Sequence, residues 1–311
     1  MAFSTVFTQI LILFMIMAAG FAAGKAKVFS EKASKDLSAL LIRVATPALV
    51  IVSMLREYDS RLMIDALLTL AVTFSAFGVA IILNLLLSKV LKVKNSRRGI
   101  WVLTTTFTNS GFMGFPVALA LFGREGLFLA AFANLAQNLL MFSVGVRLVV
   151  RDNPDKDHQA EPFLKTMLSP VNISLVIGLV LFFLQIPVPE PATDALEKIA
   201  GIVTPVSMIV VGLNISKYRP LDVLKDRDAI LAAVLHALLI PFILLLTLKL
   251  IPFREGSIVP AVSVLILSMP VSSISQALAE QYGSDSTFTS HAIFIGNLIC
   301  LGVCPLIMTL I

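Results

Sequence analysis

A chain of 311 residues that is 58% hydrophobic and only 14% charged, with a mean hydropathy of +0.94, lacks the polar surface that a water-soluble fold of this size needs. Its net charge of +5 and pI near 9.3 would suit a nucleic-acid partner only if the basic residues formed one patch; they are scattered through short loops, so none is expected. Its two cysteines, Cys300 and Cys304, lie four residues apart in an apolar run, on one helix face, which excludes a disulfide framework.

In chain order, apolar runs of about 20 residues predict ten membrane-spanning helices, at 3–24, 36–55, 62–88, 99–122, 126–150, 168–186, 194–213, 228–250, 257–282 and 286–310. No basic residue precedes the first run, which therefore reads as a retained helix rather than a cleaved leader. If the spans alternate in direction, 17 of the 24 Lys and Arg fall in odd-numbered loops and 5 in even ones, with Arg43 and Lys198 inside spans. The basic side faces the cytoplasm, so the expectation is a multi-pass protein of the bacterial plasma (inner) membrane with both termini outside.

Span two carries Thr46-Pro47 and span seven Thr204-Pro205, each about three turns in, while Pro116 and Pro270 interrupt spans four and nine at a similar offset. Between the halves, 151–165 is charged, contains Pro154 and Pro162, and reads as a cytoplasmic connector. The predicted organisation is a five-helix repeat over 1–150, a connector over 151–167 and a second five-helix repeat over 168–311. Because five is odd, the second copy enters the membrane from the other side, the inverted repeat of secondary transporters.

Span four reads TTTFTNSGFMGFP and span nine LSMPVSSISQ, both crowded with hydroxyls and amides beside glycine or proline. Backbone groups freed at mid-depth survive only where protein or a wet cavity satisfies them. Either these are kinked helices packed by small residues, with Ser and Thr bonded back to the preceding turn, or two half-helix N-termini meet and offer their amides to a carboxylate. Asn134, Gln137 and Asn138 of span five share a face and serve either as glue or as lining. Arg43 and Lys198 read as snorkelling or scaffold residues, and His236 and His291 as structural histidines or proton carriers. No HExxH, CxxC, phosphate loop or nucleophile with a base occurs, so neither an enzyme nor a metal or cofactor site is expected.

The stretch from Asn109 to Pro116, N-S-G-F-M-G-F-P, resembles the N-x-x-x-M-G-x-P signature of the auxin efflux carrier family, which includes bacterial malonate and malate permeases and plant auxin carriers. Span nine is similar to that family's second crossover, and the likeness extends over the chain. It implies an all-α membrane fold of ten helices shared with bile acid/sodium symporters, with broken helices 4 and 9 crossing at Pro116 and Pro270. It further implies a scaffold of helices 1, 2, 6 and 7, a transport domain of helices 3–5 and 8–10, elevator-like alternating access and a homodimer. Ser275 stands where the plant pattern has a second proline, and span nine has no carboxylate before Glu280, which argues against sodium sites and leaves uniport or proton coupling.

The resulting expectation is a carrier of small organic anions in contact with membrane lipids. Its substrate site is expected to draw on Asn109, Ser110, Gly111, Gly114, Pro116, Gln137, Asn138, Pro270, Val271, Ser272, Ser273 and Gln276. The rivals are a sodium-coupled organic-anion symporter and a membrane-embedded sensor.

Overall fold

The computed structural model describes residues 3–152, 162–217, 223, 225–249 and 252–310, and these are almost wholly helical. Seven helices are long and apolar enough to cross a membrane: Phe7–Lys25, Lys32–Met54, Ser60–Val90, Ser110–Arg151, Glu190–Ser216, Arg227–Lys249 and Ser286–Met308. The other apolar stretches are divided or shorter: Arg98–Thr106, Pro170–Leu184, and the pair Val259–Leu267 and Ser273–Gln281. The connector expected at 151–167 lies mostly outside the described residues; its end forms the short helix Phe163–Met167.

The helices invert the pattern of a soluble protein. On Ser60–Val90 the buried face carries Ala66, Thr69, Thr73, Phe77, Ala80, Asn84 and Ser88, while Ile64, Leu67, Phe74, Ile82 and Leu86 point outward. A helix that shows a row of large apolar side chains to the surroundings and packs largely through small and polar ones has hydrocarbon for a solvent. The inward hydroxyls bond back to their own helix, Thr69 to the Asp65 carbonyl (2.7 Å) and Thr73 to that of Thr69 (2.6 Å), so their burial leaves no unmet donor.

The closest helix pair is Phe3–Lys25 against Val203–Ser216, where Gly20 and Gly212 let two backbones touch. Thr46–Met54 packs on Pro170–Leu184 and on Glu190–Gly201. Both Thr-Pro pairs follow a local disturbance: a widened turn at Leu41–Ala45 precedes Pro47, and the Glu190–Gly201 helix ends just before Val203-Thr204-Pro205. Proline takes the helix start, where its missing N–H costs nothing. The long run Ser110–Arg151 breaks at Gly123, whose φ of 64° and ψ of −154° suit a residue without a Cβ.

At the end of that run Asp152 accepts a hydrogen bond from the Gly99 amide, and partial burial pushes its carboxyl up to about 6 against the two backbone donors that favour the anion. At the first helix break Phe107 is fully buried, and its ring lies 5.8 Å from that of Phe77, also fully buried.

Candidate functional site

The sequence places the first break at Pro116, but the backbone leaves the helix at Phe107–Asn109, seven residues earlier, and Pro116 sits harmlessly in the first turn of Phe115–Leu140. Between them Ser110–Gly114 forms one widened turn. The reason is local: Phe107 (φ −94°, ψ 139°) is extended, Asn109 (φ −82°, ψ 59°) caps the new helix, and its Oδ1 accepts from the Phe112 amide at 3.3 Å. The second break, 268–272, does contain Pro270, and Ser272 caps its restart through the Ile274 amide (3.3 Å).

The two breaks satisfy each other. Thr108 pairs antiparallel with Val271 as an isolated bridge; the Asn109 amide donates to the Pro270 carbonyl (2.7 Å) and the Ser272 amide to that of Phe107 (3.0 Å). Gln137 takes the rest of Thr108: its Oε1 accepts from the Thr108 amide (3.1 Å) and hydroxyl (2.8 Å), and its Nε2 donates to the Thr108 carbonyl (2.9 Å). Ser110 donates to Asn134 at 2.7 Å and accepts from Gln137 at 3.0 Å. Such complete pairing is what a low-dielectric surrounding demands of a broken helix.

Among the expected site residues, Asn109 and Ser273 meet directly, Nδ2 donating to Oγ at 3.3 Å. Gln137 and Ser110 stand behind them in the supporting network, and Asn138 turns away to donate to Asn172 (3.2 Å). Gly114 packs against Ile266 and Met269 of the second break, whereas Gly111 has open space where a Cβ would point. By helix geometry the first-turn amides of Ser110 and Gly111 are left as donors beside that space.

A cavity of about 520 Å³ opens there. One wall is Phe112, Ser273, Ile274, Gln276 and Ala277 from the restarted helices; another is Ser34, Lys35, Ser38 and Arg43 with Asn214 and Lys217; Asn297 also lines it. Ser34 and Lys217 both donate to Asn214 Oδ1 at 3.0 Å, and Gln276 donates to Glu280 at 3.1 Å. Asn297 is buried, gives its amide hydrogens to the Ile293 carbonyl (2.7 Å), and leaves its Oδ1 without a partner among the described residues. Three basic side chains, Lys35, Arg43 and Lys217, share this lining with one acid, Glu280, and with several hydroxyls and amides, a balance that favours an anion.

The same helices close at their other ends. A smaller recess of about 250 Å³ is lined by Leu49, Val52, Ser53, Leu119, Arg124 and Glu197. There Arg124 is ion-paired with Glu197 and Arg56 with Glu125 (3.3 Å), which ties the Gly123 corner to the neighbouring helices. Ser38 and Ser53 stand about 22 Å apart along one helix at 1.5 Å per residue, so the two cavities lie toward opposite ends of that helix.

A family model described as membrane transport protein matches residues 5–308. The chain belongs to this family, that of the auxin efflux carriers. An uncharacterized transporter of Methanothermobacter thermautotrophicus is 27% identical over 286 residues, covering 90% of this chain and 89% of that one. Another, of Methanocaldococcus jannaschii, is 25% identical over 212 residues, covering 67% and 68%. In this membrane transport protein, the sequence signals pointed to the paired breaks but not to Asn214, Lys217, Ser34 or Asn297. Asn297 carried the signal that drew attention to Asn134, an amide in mid-span; the others lie near helix ends, where polar residues are ordinary.

Proposed function

We propose that the chain is a secondary transporter of small organic anions, carboxylates of the malonate, malate or auxin kind, working by elevator-type alternating access. In this reading it has ten spans in two inverted five-helix repeats, with helices 4 and 9 crossing where Thr108 meets Val271 rather than at Pro116. The single observation that carries it is the cavity lined by Ser273, the residue that Asn109 hydrogen-bonds at the paired breaks. Asn109, Ser273, Gln276 and the Ser110 and Gly111 amides hold the carboxylate. Ser110, Gly114, Gln137, Asn138, Pro116, Pro270, Val271 and Ser272 fix the backbone that presents them.

Helices 1, 2, 6 and 7 form the scaffold, supported by their close mutual packing, and the outward apolar face of Pro170–Leu184, with Val176, Phe183 and Leu184, suits a homodimer contact or lipid. The cavity faces the cytoplasm by its lysines and arginine, and both termini lie outside the plasma membrane. Transport is expected to persist when choline replaces sodium.

The test is uptake into proteoliposomes together with a thermal-shift screen over malonate, malate, lactate and indole acetate. A bound anion at a hundred times its dissociation constant stabilises by about 2.7 kcal/mol. No stabilisation and no uptake with any of the four ends the proposal.

The ion pairs at the closed end give a second prediction. Exposed pairs contribute only about 0–1 kcal/mol to stability, so Arg124→Glu should leave folding unchanged while loosening the closure. Labelling of Ser53→Cys by an impermeant maleimide should rise severalfold, against a background kept low by the burial of Cys300 and Cys304. The swap Arg124→Glu with Glu197→Arg should restore protection; equal labelling in all three proteins removes the pair from gating.

A further inference from the structure

The paired breaks release two carbonyls that one side chain meets. In an unbroken helix the Thr105 carbonyl would accept from the Asn109 amide, but that amide is bonded to Pro270. The Met269 carbonyl loses its helical partner because the helix restarts only at Ser273. His236, 1% exposed, stands between them, with Nδ1 3.1 Å from the Thr105 oxygen and Nε2 2.9 Å from the Met269 oxygen. It is aimed there by a widened turn, Leu235–Leu239, between the Arg227–Val234 and Ile240–Lys249 helices. Widened turns of this kind recur where a helix must re-aim a functional side chain.

A neutral imidazole has one N–H and one lone pair, so it satisfies one carbonyl and repels the other; only the doubly protonated ring donates to both. We propose that His236 is a proton-binding site that links protonation to the geometry of the paired breaks. On the reading of an anion carrier given above, it thereby couples proton and anion movement. A solvent proton adds to the free ring lone pair and no other bond changes. Its loss leaves either Thr105 or Met269 without a donor, and the strand-like contact at Thr108 and Val271 loses one of its two braces.

Among the described residues no charged side chain bonds to His236. Arg98 stands at the start of its helix, bonded to the Val93 carbonyl (3.4 Å); Arg227, Asp228 and Lys249 lie at the ends of the helix that bears His236, Asp228 paired with Arg97 (2.9 Å). On Ser286–Met308, His291 faces Asp226 (2.9 Å), Cys300 donates to the Ser268 carbonyl (3.6 Å), and Cys304 is buried beside it. The break itself, 268–272, has no ionisable side chain. Burial opposes a charge on the ring and two carbonyl dipoles favour it. The anion held by Asn109 and Ser273, on the far side of the same backbone, is then the natural counter-ion.

Histidine-selective nitrogen-15 NMR of the full chain in nanodiscs tests the proton site without any substrate. The protein has three histidines, and His158→Gln and His291→Gln assign the signals. The expected result is a His236 ring with both nitrogens protonated at pH 5 that changes to a single tautomer as the pH rises; a single neutral tautomer from pH 5 to 8 overturns the proposal. The coupling is read from malonate uptake by wild type and by His236→Gln, which keeps one donor and cannot titrate. Wild-type uptake should vary at least threefold between pH 5 and 8, and the variant's should be flat. An identical profile in both overturns the coupling, whereas absence of malonate uptake with a titrating ring would count against the anion reading alone.

Discussion

Asn109→Ala should lower anion uptake by about tenfold to a hundredfold in proteoliposomes. Asn109 has two tasks that alanine cannot perform. Its Oδ1 caps the restarted helix at the Phe112 amide, and its Nδ2 donates to Ser273, which lines the cavity. A lost cap costs about 1 kcal/mol, and a lost hydrogen bond to a charged group about 1.5–3 kcal/mol, which at 1.4 kcal/mol per decade gives the stated range. Asn109→Asp separates the tasks: it preserves the cap acceptor but sets a negative charge against the anion, so the melting temperature should hold while uptake is lost. Uptake by Asn109→Ala within twofold of wild type would remove this residue from the binding step and shift attention to Asn297 and Lys217.

Gly212→Val should destroy the fold rather than the chemistry. A Cβ on Gly212 would stand 2.0 Å from the Met17 carbonyl oxygen and 2.6 Å from the Phe21 nitrogen, and one on Gly20 would stand 2.4 Å from the Ile209 oxygen. All three are backbone atoms, so no rotamer change relieves the clash; the helices must separate along this contact. Overpacking costs about 1–3 kcal/mol where neighbours can shift, and here alanine already meets that limit and valine exceeds it. Fluorescence-detected size exclusion should show Gly212→Ala with a lowered melting temperature and Gly212→Val with little monodisperse protein. Gly302→Ala is the matched control, because a Cβ there meets nothing within 4 Å and alanine favours the helix by about 1 kcal/mol. A Gly212→Ala protein as stable as Gly302→Ala would show that the helix pair is not a rigid unit.

Both predictions separate a scaffold from the site it carries. Gly20 and Gly212 join helices in which no expected site residue lies, whereas the paired breaks are built from Thr108, Asn109, Val271 and Ser272 and braced by Gln137 from a third segment and His236 from a fourth. The bonds within the paired breaks do not involve the wall formed by Ser34, Lys35 and Arg43, as the proposed elevator motion requires.

Membrane-spanning apolar runs, the second break at Pro270 and the polar cluster around Asn109 are legible in the sequence. Each depends on local facts: the run length that spans hydrocarbon, the ring that removes an N–H, and the short side chain that caps a helix. The first break does not lie at its proline: Pro116 fits a helix start, and the interruption belongs to Phe107, Thr108 and Asn109, whose non-helical backbone pairs with Pro270 and Ser272. The tertiary structure alone decided that Gln137 serves the Thr108 backbone, that Asn138 faces Asn172, and that the cavity's second wall comes from residues near 34–43 and 214–217. It also set a histidine, rather than bare amides alone, at the paired breaks. Such pairings carry no local signature, because a freed carbonyl or amide in hydrocarbon accepts whatever partner the packing of distant helices brings within 3 Å.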